Sequence, residues 1–142
     1  MKAILLLADA AEAVNGKVSA LGAGWSVIGT PSPPLSLVVI IDVPWDQTNQ
    51  KHKLEIDLLD ADGKPVSFEQ GPGDEPLPAI HIEAEFETGR PPGVPAGTPL
   101  RHSLTVAMGP GMPLKAGEKY EFHMKIDGEH IDSWLATFLV RP

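Results

Sequence analysis

The amino-acid sequence predicts an all-β protein, an antiparallel immunoglobulin-like β-sandwich of about eight or nine short strands. Three observations carry this prediction. Apolar and polar residues alternate with a period of two in several runs, as they do where one face of a strand is buried and the other wet. Prolines and glycines gather between those runs, at Gly29–Pro34, Gly71–Pro78, Gly89–Pro99 and Gly109–Gly117, which punctuates strands rather than helices. The segment Leu114-Lys115-Ala116-Gly117-Glu118-Lys119-Tyr120 has a glycine turn leading into a strand that opens with Tyr. That is the pattern of a tyrosine corner, and it decides for a sandwich.

Taken in order, Lys2–Ala8 is expected as the first strand. It resembles the start of a secretory leader, but its apolar stretch ends before Asp9 and Glu12. A leader needs roughly 7–15 apolar residues, so no cleaved signal peptide is expected. Ala8–Val14 holds good helix formers and is the one place where a single helical turn could form. Asn15-Gly16 is the strongest two-residue hairpin signal available, and it is expected to join Lys2–Ala8 to a strand over Lys17–Ile28. Gly22, Gly24 and Trp25 inside the latter suggest a bulge or a close backbone approach. Leu35–Val43 is apolar nearly throughout, as in a strand buried on both faces.

In Lys53–Leu59, Leu54, Ile56 and Leu58 alternate with Glu55 and Asp57. Asp60-Ala61-Asp62-Gly63 reads as a turn, with Asp capping its own backbone. In Ala79–Glu87, Ile80, Ile82, Ala84 and Phe86 take one face, and His81, Glu83, Glu85 and Glu87 the other. Leu100–Met108 is a further strand. In Lys119–Asp127, Tyr120, Phe122, Met124 and Ile126 alternate with Glu121, His123, Lys125 and Asp127. Asp127-Gly128 then turns the chain into a last strand over Ser133–Val140.

The length of 142 residues fits one domain spanning 1–142. There is no cysteine, which excludes disulfides and thiolate metal sites. Eleven basic against nineteen acidic residues give a formal charge of −8. This argues against nucleic acid and anionic membrane surfaces as partners, since both are held by surplus Lys and Arg. No stretch approaches the roughly 20 apolar residues that a membrane-spanning helix needs.

The residue patterns that carry catalysis or metal binding are not expected in this chain. Of the five histidines, His81 and His123 fall on outward faces, and His102 shares a face with Leu100 and Leu104. Glu129-His130-Ile131-Asp132 places three ligand-type side chains close in sequence, without the convergence from several elements that a metal site uses. Asp60-x-Asp62-Gly63 opens like a calcium loop, but Phe68 and Glu69 follow where further ligands and a helix would stand. There is no Gly-x-Ser-x-Gly elbow and no Gly-Lys-Ser/Thr after Gly71-Pro72-Gly73. Glu83, Glu85 and Glu87 share a solvated face rather than forming a catalytic pair. No catalytic residue, metal or cofactor is therefore expected.

Two segments stand out as interaction surfaces. In Val43-Pro44-Trp45-Asp46-Gln47-Thr48-Asn49, a Trp leaves a buried strand into a polar turn, so Trp45 and Asp46 are candidates. In the loop Gly89–Pro99, Arg90, Pro91, Pro92, Val94 and Pro95 offer a proline-stiffened surface that loses little entropy on docking.

Ala3–Ala11, Gly22-Ala23-Gly24-Trp25-Ser26-Val27, Asp42-Val43-Pro44-Trp45-Asp46-Gln47-Thr48 and Gly89-Arg90-Pro91-Pro92-Gly93 together resemble an uncharacterised group of small β-rich proteins from actinobacteria and their tailed phages. The resemblance runs nearly end to end and brings no activity with it. By analogy of fold and setting, it implies a non-enzymatic virion accessory such as a capsid decoration protein, present as a homo-oligomer or in many copies within an assembly. The implied partner is a protein, a major capsid or tail protein first, and the implied location the virion or the cytoplasm. The alternative is a cytoplasmic immunoglobulin-like module that recognises a protein or small ligand through its Pro/Gly-rich loops.

Overall fold

A computed structural model describes residues 1–66 and 80–142. Ten strands are found among the described residues: β1 (Lys2–Ala8), β2 (Ala10–Val14), β3 (Lys17–Leu21), β4 (Val27–Ile28), β5 (Leu35–Val43), β6 (Lys51–Asp60), β7 (His81–Glu87), β8 (Leu100–Met108), β9 (Lys119–Ile126) and β10 (Leu135–Val140). One 3-10 turn, Trp45–Gln47, follows β5. The expected strand start at Ala79, Phe68 and Glu69, and the Gly71–Pro78 cluster lie outside the described residues.

The strands form one sheet in the order β1-β5-β8, a second in the order β4-β10-β9-β6-β7, and a separate β2-β3 hairpin. By position, β1, β5 and β8 correspond to immunoglobulin strands A, B and E, and β6, β9 and β10 to C, F and G. All pairings are antiparallel except the short β4, which runs parallel to β10. The alternation seen in the sequence supplies the core. Leu35, Leu37, Val39, Ile41 and Val43 of β5 meet Leu54, Ile56 and Leu58 of β6, with Phe122 and Met124 of β9 and Phe138 and Val140 of β10. Phe138 is the aromatic hub, stacked on Tyr120 and Phe122, with Trp25 set edge-on against it.

The tyrosine corner closes as expected: the Tyr120 hydroxyl accepts a hydrogen bond from the Lys115 backbone N–H at 2.9 Å. The Asp60 turn is also as expected, its Oδ1 accepting from the N–H groups of Asp62 at 2.9 Å and Lys64 at 3.0 Å.

Two expectations are corrected, and the one helix candidate does not form. Ala8–Val14 forms no helical turn, because its second part is strand β2, paired antiparallel with β3. The Asn15-Gly16 turn, with φ of 52° and 73°, has the two left-handed residues of a tight hairpin. It joins β2 rather than β1 to β3. The strand expected over Lys17–Ile28 is two, β3 and β4, because Gly22 and Gly24 between them take φ of 60° and 91°, outside the extended region.

The hairpin also explains β5. Ser36 and Val38 point away from the core yet are buried, and the elements packed against β5 and β8 there are β2 and β3. Beyond this cover Ile40 and Asp42 are only half-buried, so β5 is buried on both faces along part of its length.

Candidate functional site

The register places three connections at one end of the sandwich. Val43 of β5 lies opposite Leu100 of β8, and Lys51 of β6 opposite Glu87 of β7. Leu54 lies opposite Ile126 of β9. The β5–β6 turn, the β7–β8 loop and the β9–β10 turn therefore cluster together. The two segments singled out in the sequence, forty-five positions apart at Trp45 and Arg90, meet here as one site.

Pro44 leads into the 3-10 turn, and the half-buried Trp45 lies on its surface. The Arg90 guanidinium sits over the Trp45 ring, its carbon 4.1 Å from the ring centroid. Such a cation–π contact contributes about 0.5–1 kcal/mol at an exposed position. Arg90 is also tied to the turn by hydrogen bonds. Its Nη2 donates to the Trp45 carbonyl at 2.7 Å and its Nε to Thr48 Oγ1 at 2.7 Å. The buried Thr48 hydroxyl in turn donates to the Trp45 carbonyl at 2.6 Å. Trp45 is thus neither buried under the core nor free; it is a platform whose shape Arg90 fixes.

Arg90 is held in reach by the loop behind it. Asn49 donates its N–H to the Thr88 carbonyl at 2.8 Å, joining the two connections. The Val94 N–H bonds the Pro91 carbonyl and the Thr98 N–H the Pro95 carbonyl. These are two successive β-turns, the first with Pro92 and Gly93 at its centre and Gly93 at φ 86°. Proline then glycine is the pairing that a type II turn requires. Pro91, Pro92, Val94 and Pro95 stiffen the rim beside Arg90, and Asp46 is exposed on the turn itself. Among the described residues Arg90 has no carboxylate partner. Gln47 Oε1 and Thr88 Oγ1 are buried there without a hydrogen-bond partner.

A residue that the sequence reading passed over supports the site from beneath. His52, 5% exposed, shares the inward face of β6 with Leu54 and Ile56. Its Nδ1 lies 2.7 Å from Asp127 Oδ2 and its Nε2 2.7 Å from the Gln47 carbonyl. Asp127 Oδ1 accepts from the Lys53 N–H at 2.9 Å. Burial disfavours charge on His52, but the Gln47 carbonyl and the Asp127 carboxylate outweigh it, and its pKa is raised. Burial likewise opposes charge on Asp127, yet His52 and the Lys53 N–H hold its pKa below the ordinary value. Phe86 lies between His52 and His102 in a short aromatic stack. The signal for His52 was present in the sequence: it falls in phase with the apolar residues of its strand.

Two other places gather side chains on the surface. On the outer face of the larger sheet, Glu55, His81 and Glu83 bring ligand-type atoms within 4.8 Å of one another. Lys53 Nζ already stands among them, 3.0 Å from Glu55 and 3.9 Å from Glu83. His81 lies between Glu83 and Asp57, which raise its pKa despite some burial. These residues could hold a cation, but they neutralise each other as they stand. Beside β1, an open cleft of about 470 Å³ is lined by apolar residues including Ile4, Ile40, Ile131 and Trp134, with the Asp42–Arg101 pair among its lining residues. It gathers little polar chemistry.

A family model matches residues 3–137. The chain belongs to DUF6941, a family of unknown function. No curated protein and no solved structure matches it. For this DUF6941 member the loop end is therefore read from its own geometry.

Proposed function

We propose that this DUF6941 member is a non-enzymatic interaction domain that docks on a protein partner through the loop end of its sandwich. The observation that carries the reading is the Arg90–Trp45 platform: an aromatic side chain held at the surface by a guanidinium that is itself fixed by two hydrogen bonds. Trp and Arg are the side chains that dominate binding energy at protein interfaces, and a platform ordered in advance loses little entropy when it docks. In immunoglobulin variable domains the B–C, C′–C″ and F–G loops bind from the same end.

The setting that fits best is a virion accessory, a capsid decoration protein of an actinobacterial tailed phage bound to a major capsid or tail protein in many copies. The resemblance noted in the sequence and the rigid, cysteine-free, acidic chain support it. A cytoplasmic module binding through the same loops is the alternative setting. Amide hydrogen exchange on the free and the natively associated protein tests the site. Protection is expected over 45–50 and 88–98. Protection confined to the outer face of the larger sheet would overturn the assignment.

A further inference from the structure

The site proposed above rests on His52, and the chemistry of that contact goes further. The Gln47 carbonyl can only accept a hydrogen bond, and so can the Asp127 carboxylate. Each lies 2.7 Å from a different nitrogen of the same ring. A neutral imidazole carries one N–H and one lone pair. It would satisfy one partner and turn its lone pair on the other at close range. Only the imidazolium, a donor at both nitrogens, satisfies both. We infer that His52 is a proton-dependent latch: protonated, it ties the Trp45–Gln47 turn to the β9–β10 turn and holds the Arg90–Trp45 platform, and deprotonated it lets that turn go.

The direction of release follows from the partners. A neutral ring keeps its proton toward the Asp127 carboxylate, because a hydrogen bond to a charged acceptor is the stronger one. The lone pair then faces the Gln47 carbonyl. Gln47 closes the turn that carries Trp45, and its own N–H is bonded to the Pro44 carbonyl at 2.9 Å. Pushing it outward disturbs the Trp45 carbonyl, on which Arg90 and Thr48 converge.

The charged and titratable groups around the ring are few. Asp127 comes from the β9–β10 turn. His102 of β8 stands across Phe86, its pKa lowered by burial. Asp46 and Arg90 lie at the loop end. On β6, Lys51 and Lys53 flank His52, alternating with it along the strand, and Glu87 of β7 lies opposite Lys51. Of these, Asp127 alone contacts the ring.

Nitrogen-15 NMR on the full chain tests the latch without any partner, so it can fail while docking stands, and docking can fail while it stands. Below its titration, His52 should show both ring nitrogens protonated. As pH rises through that titration, the Arg90 Nε–H and Trp45 indole signals should shift with the same midpoint. Exchange of the Arg90 Nε–H should accelerate by at least about tenfold beyond the ordinary effect of pH, the lower end of what losing one charge-assisted hydrogen bond brings. Asp127→Asn should move the midpoint downward. A His52 ring that is neutral at acidic pH would overturn the inference. So would Arg90 and Trp45 signals that stay flat while His52 titrates.

Discussion

At the scale of single residues, the fold depends on a few polar contacts made where the chain has no ladder to supply them. The Tyr120 hydroxyl is one: it satisfies the Lys115 N–H across the turn that leads into β9. Removing the oxygen leaves a part-buried donor unpaired and leaves the ring packed against Phe138. Tyr120→Phe should therefore cost about 1–3 kcal/mol of stability, with the tryptophan bands of the near-ultraviolet spectrum retained. Denaturant unfolding of the two proteins measures it. Tyr120 was legible because its corner is local, the partner lying five residues away. Arg90 and Trp45 were each legible as candidates, but their contact was not. It depends on how three connections converge, which no local spacing encodes. His52 was legible in position and not in role, since its partners Gln47 and Asp127 come from two different turns.

At the scale of elements, the β2-β3 hairpin is the feature that departs most from a plain sandwich. Its two glycine positions separate two physical effects. At Gly16, φ is 73° and a Cβ would meet open space, so Gly16→Ala costs only the left-handed backbone term, about 1–2 kcal/mol. At Gly22, φ is 60° and the Cβ would run into the Asp9 carboxylate. Gly22→Ala adds to that backbone term the cost of turning the exposed Asp9 side chain aside, and should be the more destabilising of the two. Truncating the obstacle in Asp9→Ala/Gly22→Ala should bring the cost down toward that of Gly16→Ala, with only the Asp9 Cβ left near the new methyl group. Thermal unfolding of the set checks this, and equal losses at the two glycines would contradict the close approach. The strands with clean alternation, β6, β7 and β9, were read with their faces correct, because one side of each is wet. The hairpin was misassigned by one strand. The turn dipeptide fixes that two strands meet, and it does not say whether the strand before it has already been broken at Asp9.

At the scale of the whole molecule, the charges that shift on folding act in opposing directions with pH. His52 and His81 have raised pKa values. The stability they contribute is complete below the ordinary histidine value of about 6.5 and is lost as pH rises through their folded values. His102 is lowered by burial, and His123 by burial and then by the neighbouring His130, on which it stacks. Their contribution is complete above about 6.5 and is lost as pH falls through that range. Asp127, lowered by its partners, contributes above its ordinary carboxylate value and is lost on further acidification. Stability should therefore peak near neutrality. His52→Gln should remove part of the alkaline loss and leave the histidine part of the acid loss in place. Unfolding midpoints across the pH range measure both limbs.

The central claim is that the Arg90–Trp45 end of this DUF6941 member docks on a protein partner in a larger assembly. The most direct measurement is the mass of the native particle, by mass photometry, for the wild type and for Trp45→Ala/Arg90→Ala. The account predicts wild-type protein riding in many copies on particles far heavier than one chain. It also predicts that the double variant, folded by circular dichroism, appears as free protomers. A wild type found only as free monomer or dimer, or a double variant that associates as fully as the wild type, would contradict it.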